Sequence, residues 1–157
     1  MKLTLVFTGK TEEKYLREGI DIYTKRLRHY IPHEIKIIGL GKKRSGHPAG
    51  KSDAGEIEKL VSFTGSNTFV VLLDEKGDRL SSPELARLIS KTMNHGYKDM
   101  VFITGGSHGI PEETNRLANR VVSLSDLTFP HQMVRLILVE QIYRAMTIIK
   151  GEPYHHQ

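Results

Sequence analysis

Residues 68–109, TFVVLLDEKGDRLSSPELARLISKTMNHGYKDMVFITGGSHG, decide the fold class. Thr68 to Leu73 and Asp99 to Thr104 are short, unbroken runs of Val, Leu, Ile and Phe, the pattern of strands buried on both faces. Between them Asp74-Glu-Lys-Gly77 turns the chain, Ser81, Ser82, Pro83 and Glu84 make a helix start, and Leu85 to Met93 continues it. A strand, a helix and a second buried strand in so short a span predict a parallel pair joined by a crossover.

The same alternation extends in both directions. Lys2 to Thr8 predicts a strand ended by Gly9, and Leu16, Ile20, Tyr23, Leu27 and Tyr30 recur at helical spacing until Pro32 stops the helix. His33 to Leu40 predicts a second strand, and Asp53 caps a short helix through Leu60. Downstream, Pro111 opens a helix with Glu112 and Glu113 in its first turn, Arg120 to Leu124 is a fifth strand, Ser125 to Pro130 a loop, and His131 to Lys150 a long final helix. The 157 residues therefore predict one α/β domain, residues 1–157, with a single open, mostly parallel sheet flanked by helices.

The final helix is apolar almost all round, with Val134, Leu138, Val139, Ile142, Met146 and Ile149 on one broad face and Met133, Leu136, Ile137, Tyr143 and Ile148 on others. One sheet cannot cover such a helix. It is either central or shared with a second subunit, and its place at the end of a small domain favours a homodimer. His131 and Arg135 lie one turn apart on it, as do Glu140 and Arg144, whose bland reading is an intrahelical ion pair.

Composition narrows the chemistry. With 38% hydrophobic and 26% charged residues the chain is that of a folded protein, and no cysteine is present, which excludes disulfides, thiolate metal sites and a cysteine nucleophile. No apolar run approaches the roughly 18 residues of a membrane span, and the opening apolar stretch is too short for a signal peptide, so the expected location is the cytoplasm. The net charge of +5 is uneven: residues 1–51 carry 12 Lys/Arg against 5 Asp/Glu, and the remainder 11 against 13. That asymmetry suits a surface that meets a polyanion, nucleic acid first among the candidates. Lys42, Lys43 and Arg44, in a glycine-flanked loop, are candidate RNA contacts, and an ordinary solvated surface loop is the competing reading.

In open parallel sheets ligands bind beyond the carboxyl ends of the strands. Three loops there are unusual: Leu73 to Gly77, Gly105-Gly-Ser-His-Gly109, and Leu124-Ser-Asp-Leu-Thr-Phe-Pro130. The glycine loop fits neither the dinucleotide fingerprint nor a P-loop, which disfavours a dinucleotide or triphosphate. Residues 124–130 alternate apolar side chains with exposed backbone groups, a surface suited to an adenine ring and an uncharged ribose.

Together, Gly105-Gly-Ser-x-Gly109, Leu124-Ser-x-x-Thr-Phe-Pro-His-Gln-Met-Val-Arg135, Glu140-Gln-x-Tyr-Arg-Ala145 and Gly151-Glu-x-Tyr-His155 resemble the ribosomal RNA large subunit methyltransferase H family over the whole chain. The resemblance implies a SPOUT (α/β-knotted) methyltransferase: a homodimer whose C-terminal segment threads a trefoil knot, a feature that the general avoidance of threading would have argued against. It implies S-adenosylmethionine as methyl donor, with no metal, held by Leu73, Gly105 and the loop Leu124, Ser125, Asp126, Leu127, Thr128 and Phe129. It also implies methylation of N3 of a pseudouridine in 23S rRNA on the assembled ribosome.

An imide nitrogen must lose its proton during such a transfer, and a positioned base contributes about 10² to 10⁴-fold. His155 is the candidate base, with Tyr154 orienting it or stacking on the nucleobase. The alternative is that both residues close the ligand pocket, and Glu140 is a further candidate base if unpaired. His131 and Arg135 are candidate contacts to RNA phosphate or to the partner subunit. Thr104, His108 and the ending His156-Gln157 depart from the family pattern, which bears on loop details and local RNA contacts. Two other functions compete: a non-enzymatic RNA- or ribosome-binding factor, and a methyltransferase of the same fold acting on another RNA.

Overall fold

The computed structural model describes residues 1–39, 54–105 and 112–155. Five strands, β1 (Lys2–Thr8), β2 (His33–Ile38), β3 (Thr68–Arg79), β4 (Asp99–Thr104) and β5 (Arg120–Ser123), form one sheet in the order β2-β1-β4-β3-β5. All four pairings are parallel, with Leu5 beside both Ile35 and Phe102, and Leu73 beside both Thr104 and Val122. The helices are α1 (Lys14–Leu27), α2 (Ala54–Val61), α3 (Ser82–Asn94) and α4 (His131–Lys150), with a 3₁₀ helix over Glu112–Leu117.

Period-two alternation sends the strand side chains into two separate cores. Leu3, Leu5, Phe7, Val71, Met100 and Phe102 meet Ile20 and Leu27 of α1, Leu85 and Ile89 of α3, and Leu138, Val139 and Ile142 of α4. On the other face Val6, Val70, Leu72, Val101 and Ile103 pack with Leu60 of α2. Both faces are therefore covered, as a parallel sheet requires. On the first face α4 packs against both α1 and α3, and Lys150 is its only exposed residue. Within a single chain α1, α3 and the sheet leave Met133, Leu136, Ile137, Tyr143, Ile148 and Ile149 of this helix only half-buried.

Local chemistry explains the element ends. Ser81 Oγ accepts from the Glu84 amide while a Glu84 carboxylate oxygen accepts from the Ser81 amide at 2.8 Å, a reciprocal cap that opens α3. The Ser81 hydroxyl, which donates to the same carboxylate at 2.7 Å, and then the Ser81 amide hold the Glu84 carboxyl below its usual range. At the far end of α4, Gly151 adopts φ 69°, and the Glu152 amide donates to the Thr147 carbonyl at 2.9 Å, which turns the tail back along the helix.

Three expectations need correction. Asp74–Gly77 does not end the third strand: β3 leaves its ladder after Leu73 and rejoins β5 at Asp78, so the four residues form a bulge rather than a reversal. Gly77 permits this, because a Cβ there would lie 2.6 Å from the Val122 nitrogen, and the Lys76 amide donating to Asp74 Oδ1 at 2.9 Å shapes the bulge. The segment after Pro111 is a 3₁₀ helix, not an α-helix, and β2 ends at Ile38 rather than Leu40. Asp53 and Pro111, read as helix-start residues, lie outside the described residues.

Candidate functional site

Where β3 and β5 end, their carboxyl termini and the following segments enclose a cleft of about 410 Å³, within the size range of small-molecule sites. Leu73, the bulge residues Asp74, Glu75 and Lys76, Arg79, and every residue from Val122 to Phe129 line it, together with Val134 of α4. The loop over residues 124–129 is ordered by its own serines. Ser123 Oγ donates to the Ser125 carbonyl at 3.0 Å, and Ser125 Oγ accepts from the Leu127 amide at 2.9 Å. Leu127 stands 72% exposed, a large apolar side chain presented to solvent at the rim. Asp126 pairs with Arg79 at 2.5 Å across the mouth, so cationic and anionic groups share one edge of an otherwise mixed apolar pocket.

Leu73, Leu124, Ser125, Asp126, Leu127, Thr128 and Phe129 are thus brought together in one place. Gly105 directly follows Thr104, the β4 partner of Leu73, which sets it at the neighbouring strand end although it does not line the cleft. Asp74, Glu75 and Lys76 belong to the Leu73–Gly77 loop expected at the ligand end of the sheet, of which Leu73 alone was a candidate contact, and Arg79 lies beyond that loop. Their signal was Gly77, whose need for close backbone approach marks the bulge that carries them to the rim.

A second polar cluster lies further along α4. Glu140 Oε1 accepts from Arg144 Nη2 at 2.6 Å, from Arg144 Nε at 3.1 Å and from the Tyr154 hydroxyl at 3.1 Å, while Gln141 donates to Oε2 at 2.6 Å. The ion-pair reading of Glu140 and Arg144 therefore holds, and the carboxylate is fully engaged. The Arg144 guanidinium also sits 4.6 Å from the Tyr154 ring centroid, and Tyr154 meets Tyr143 edge-on at 4.8 Å. Burial first, then the Tyr23 hydroxyl and Glu140, pushes the Tyr154 phenol well above its ordinary pKa, so it acts as a donor here. Tyr30 hydrogen-bonds to Glu152, tying the tail to the segment between α1 and β2. The Nδ1 of His155 is buried and has no partner among the described residues.

Tyr154 and His155 do not line the cleft. Tyr154 docks on Glu140 and Tyr143, roughly 9 to 14 Å along the helix axis from Val134 and on other faces. Arg135 requires a plainer correction as a candidate RNA contact: it is fully buried, donating to the Thr8 carbonyl at 2.7 Å and to Thr11 Oγ1 at 2.9 Å, out of reach of a phosphate. His131 is half-buried at the first residue of α4. Lys42, Lys43, Arg44 and Gly106–Gly109 lie outside the described residues.

A family model described as a predicted SPOUT methyltransferase matches residues 1–155. The chain belongs to the SPOUT methyltransferase family. A protein of Geobacter metallireducens named ribosomal RNA large subunit methyltransferase H is 48% identical over 156 residues, covering 99% of each chain. Proteins of the same name from Geobacter sulfurreducens and Christiangramia forsetii are 46% and 45% identical, covering 99% and 100% of this chain and all of theirs. As a SPOUT methyltransferase the chain is an enzyme of group transfer. Among the described residues no cluster of His, Asp and Glu is arranged to hold a metal, and no helix is long and apolar enough to cross a membrane.

Proposed function

We infer that this methyltransferase transfers the methyl of S-adenosylmethionine to N3 of a pseudouridine in 23S rRNA on the assembled ribosome. It works in the cytoplasm as a homodimer of single-domain chains, residues 1–157, each with a knotted C-terminal segment. The observation that carries the reading is the coincidence of Leu73 and Leu124–Phe129 in one cleft, in a chain that matches rRNA methyltransferases along its full length. Family membership supports the knot.

The residues of the cleft fit the donor. Leu73, Leu124, Leu127 and Phe129 provide apolar flanks for an adenine ring, and backbone groups between them reach its edges and the ribose. Arg79 and Asp126 supply charges of both signs at the rim, complementary to the carboxylate and ammonium of a methionine moiety. Gly105 leaves room for close approach at the next strand end. The bound donor supplies an electrophilic methyl on a sulfonium sulfur.

The chain's own contribution to transfer is alignment and removal of the N3 proton. Glu140 is already engaged by four donor groups, which leaves His155 as the acceptor for that proton and Tyr154 as its orienting or stacking neighbour. Because Tyr154 and His155 stand away from the cleft of their own chain, His155 of the partner subunit is the group we assign to each cleft. RNA phosphates are met by Lys42, Lys43, Arg44 and His131, and by the exposed cations Lys14, Arg17, Lys25 and Arg26 of α1.

Incubation with a labelled methyl donor and ribosomes lacking the modification, followed by mass-spectrometric mapping, tests the assignment. Label at N3 of a 23S pseudouridine is the expected result. Label at another nucleotide, or none with intact donor binding, contradicts it.

A further inference from the structure

Arg135 is the largest fully buried side chain among the described residues, and no carboxylate among them pairs with it. Its Nε has no hydrogen-bond partner among the described residues, its Nη atoms are spent on the Thr8 carbonyl and Thr11 Oγ1, and its guanidinium lies 5.6 Å from the Phe7 ring centroid. Burial pushes its pKa below the ordinary guanidinium value, the sign of a charge that the fold does not favour. An apolar residue of similar length would pack this position without the desolvation cost of a buried unpaired cation. The arginine therefore needs a reason other than packing.

Its bonds show what it connects. Arg135 stands in the second turn of α4, next to Val134, which lines the cleft, and α4 itself begins where the cleft loop ends. Thr8 closes β1 one residue after Phe7, and Phe7 is the ladder partner of Thr104, the residue before Gly105. Gln132, three residues earlier and on the same helical face, accepts from the amides of Glu12 and Glu13 at 2.7 and 3.4 Å and ties the start of α1 to the start of α4. Two side chains of α4 thus clamp the β1–α1 segment, Thr8 to Glu13, to the helix that leaves the cleft loop.

We propose that Arg135 is a positioning residue for the methyl donor: its bonds to Thr8 and Thr11 set the spacing between the loop Leu124–Phe129 and the strand ends that carry Gly105. The inference rests on the assignment of the cleft to the donor. Arg135 touches neither substrate. It holds two donor-facing segments at a fixed separation, and its loss loosens donor binding ahead of RNA binding or the transfer step.

The test compares the full chain with Arg135→Met, which removes the guanidinium at near-constant length, and with Thr11→Val, which deletes a single acceptor. S-adenosylhomocysteine binding is followed by calorimetry and unfolding by heat. The expected result is a Kd raised about tenfold in Arg135→Met and about threefold in Thr11→Val, the sizes expected for charge-assisted and single hydrogen bonds. The KM for donor rises with it, and kcat at saturating donor stays within about twofold of the parent. A merely structural role moves Tm and leaves the Kd of the folded fraction unchanged, and that result overturns the inference. Should Arg135→Met fail to fold, Thr11→Val decides by the same criterion. If the parent chain binds no S-adenosylhomocysteine, the donor assignment itself fails and this inference with it; if the parent binds and the variants match it, only the role of Arg135 fails.

Discussion

The Tyr154 hydroxyl donates to Glu140 Oε1 at 3.1 Å, so the carboxylate that pairs with Arg144 also anchors the C-terminal tail. A residue on the middle of α4 and one beyond its end are thereby a single unit. Glu140→Ala leaves Arg144 unpaired in a largely buried setting and frees the tail together. The expected loss is about 2 kcal/mol of unfolding free energy in chemical denaturation. An unchanged stability with abolished transfer would instead return Glu140 to the role of base.

His155→Ala separates proton removal from pocket closure. Methyl transfer should fall by about 10²-fold or more while donor affinity changes by less than about threefold. Parallel loss of both, read by calorimetry and by single-turnover transfer, would make His155 a wall of the pocket.

Gly77→Ala tests the bulge. The added Cβ meets the Val122 nitrogen at 2.6 Å and the Val121 and Val122 carbonyl carbons at 2.7 Å, all backbone that a rotamer change cannot move. The β3 extension must shift off β5, and with it Lys76 and Arg79 at the cleft rim. Loss of about 2 kcal/mol or more of stability, with weakened donor binding, is expected. A variant that is as stable as the parent and binds donor equally would show that the rim is dispensable.

Stability against pH should carry the mark of the Lys2–Glu34–Lys36 group at the β1–β2 edge, where Glu34 meets Lys2 at 2.8 Å and Lys36 at 3.2 Å. The Lys2 hydrogen bond holds the Glu34 carboxyl below its ordinary 4.5, so its contribution is present above that value and is lost as pH falls through the folded-state pKa. The same bond raises Lys2 above 10.5, so that contribution is present below 10.5 and is lost as pH rises further. Glu34→Gln should flatten the stability profile on the acid side. Identical acid limbs for variant and parent would dismiss the contribution.

Legibility from sequence followed locality. The bounds of α4 read correctly because Pro130 and Gly151 punctuate an apolar helix at both ends, and Thr68–Leu73 and Asp99–Thr104 read as buried strands because β-branched and aromatic residues crowd them. The second half of β3 was hidden by its composition, since Asp78 and Arg79 are polar and their pairing with Val122 and Ser123 depends on β5, more than forty residues away. Leu73 and Leu124–Phe129 could be expected together because parallel topology gathers strand ends. Arg135 could not be placed, because a lone arginine near a helix start looks like a surface cation, and only the return of β1 beneath it makes it buried. The docking of Tyr154 on Glu140 escaped for the same reason: it depends on the tail folding back past Gly151.

The cleft between the ends of β3 and β5 is the proposed seat of the methyl donor. Backbone chemical shifts of the full chain, followed by NMR during titration with S-adenosylhomocysteine, address it residue by residue. The largest shifts are expected at Leu73, at Asp74–Lys76 and across Val122–Phe129. Saturable shifts confined to the Tyr143–Tyr154 cluster, with residues 122–129 unmoved, would contradict it.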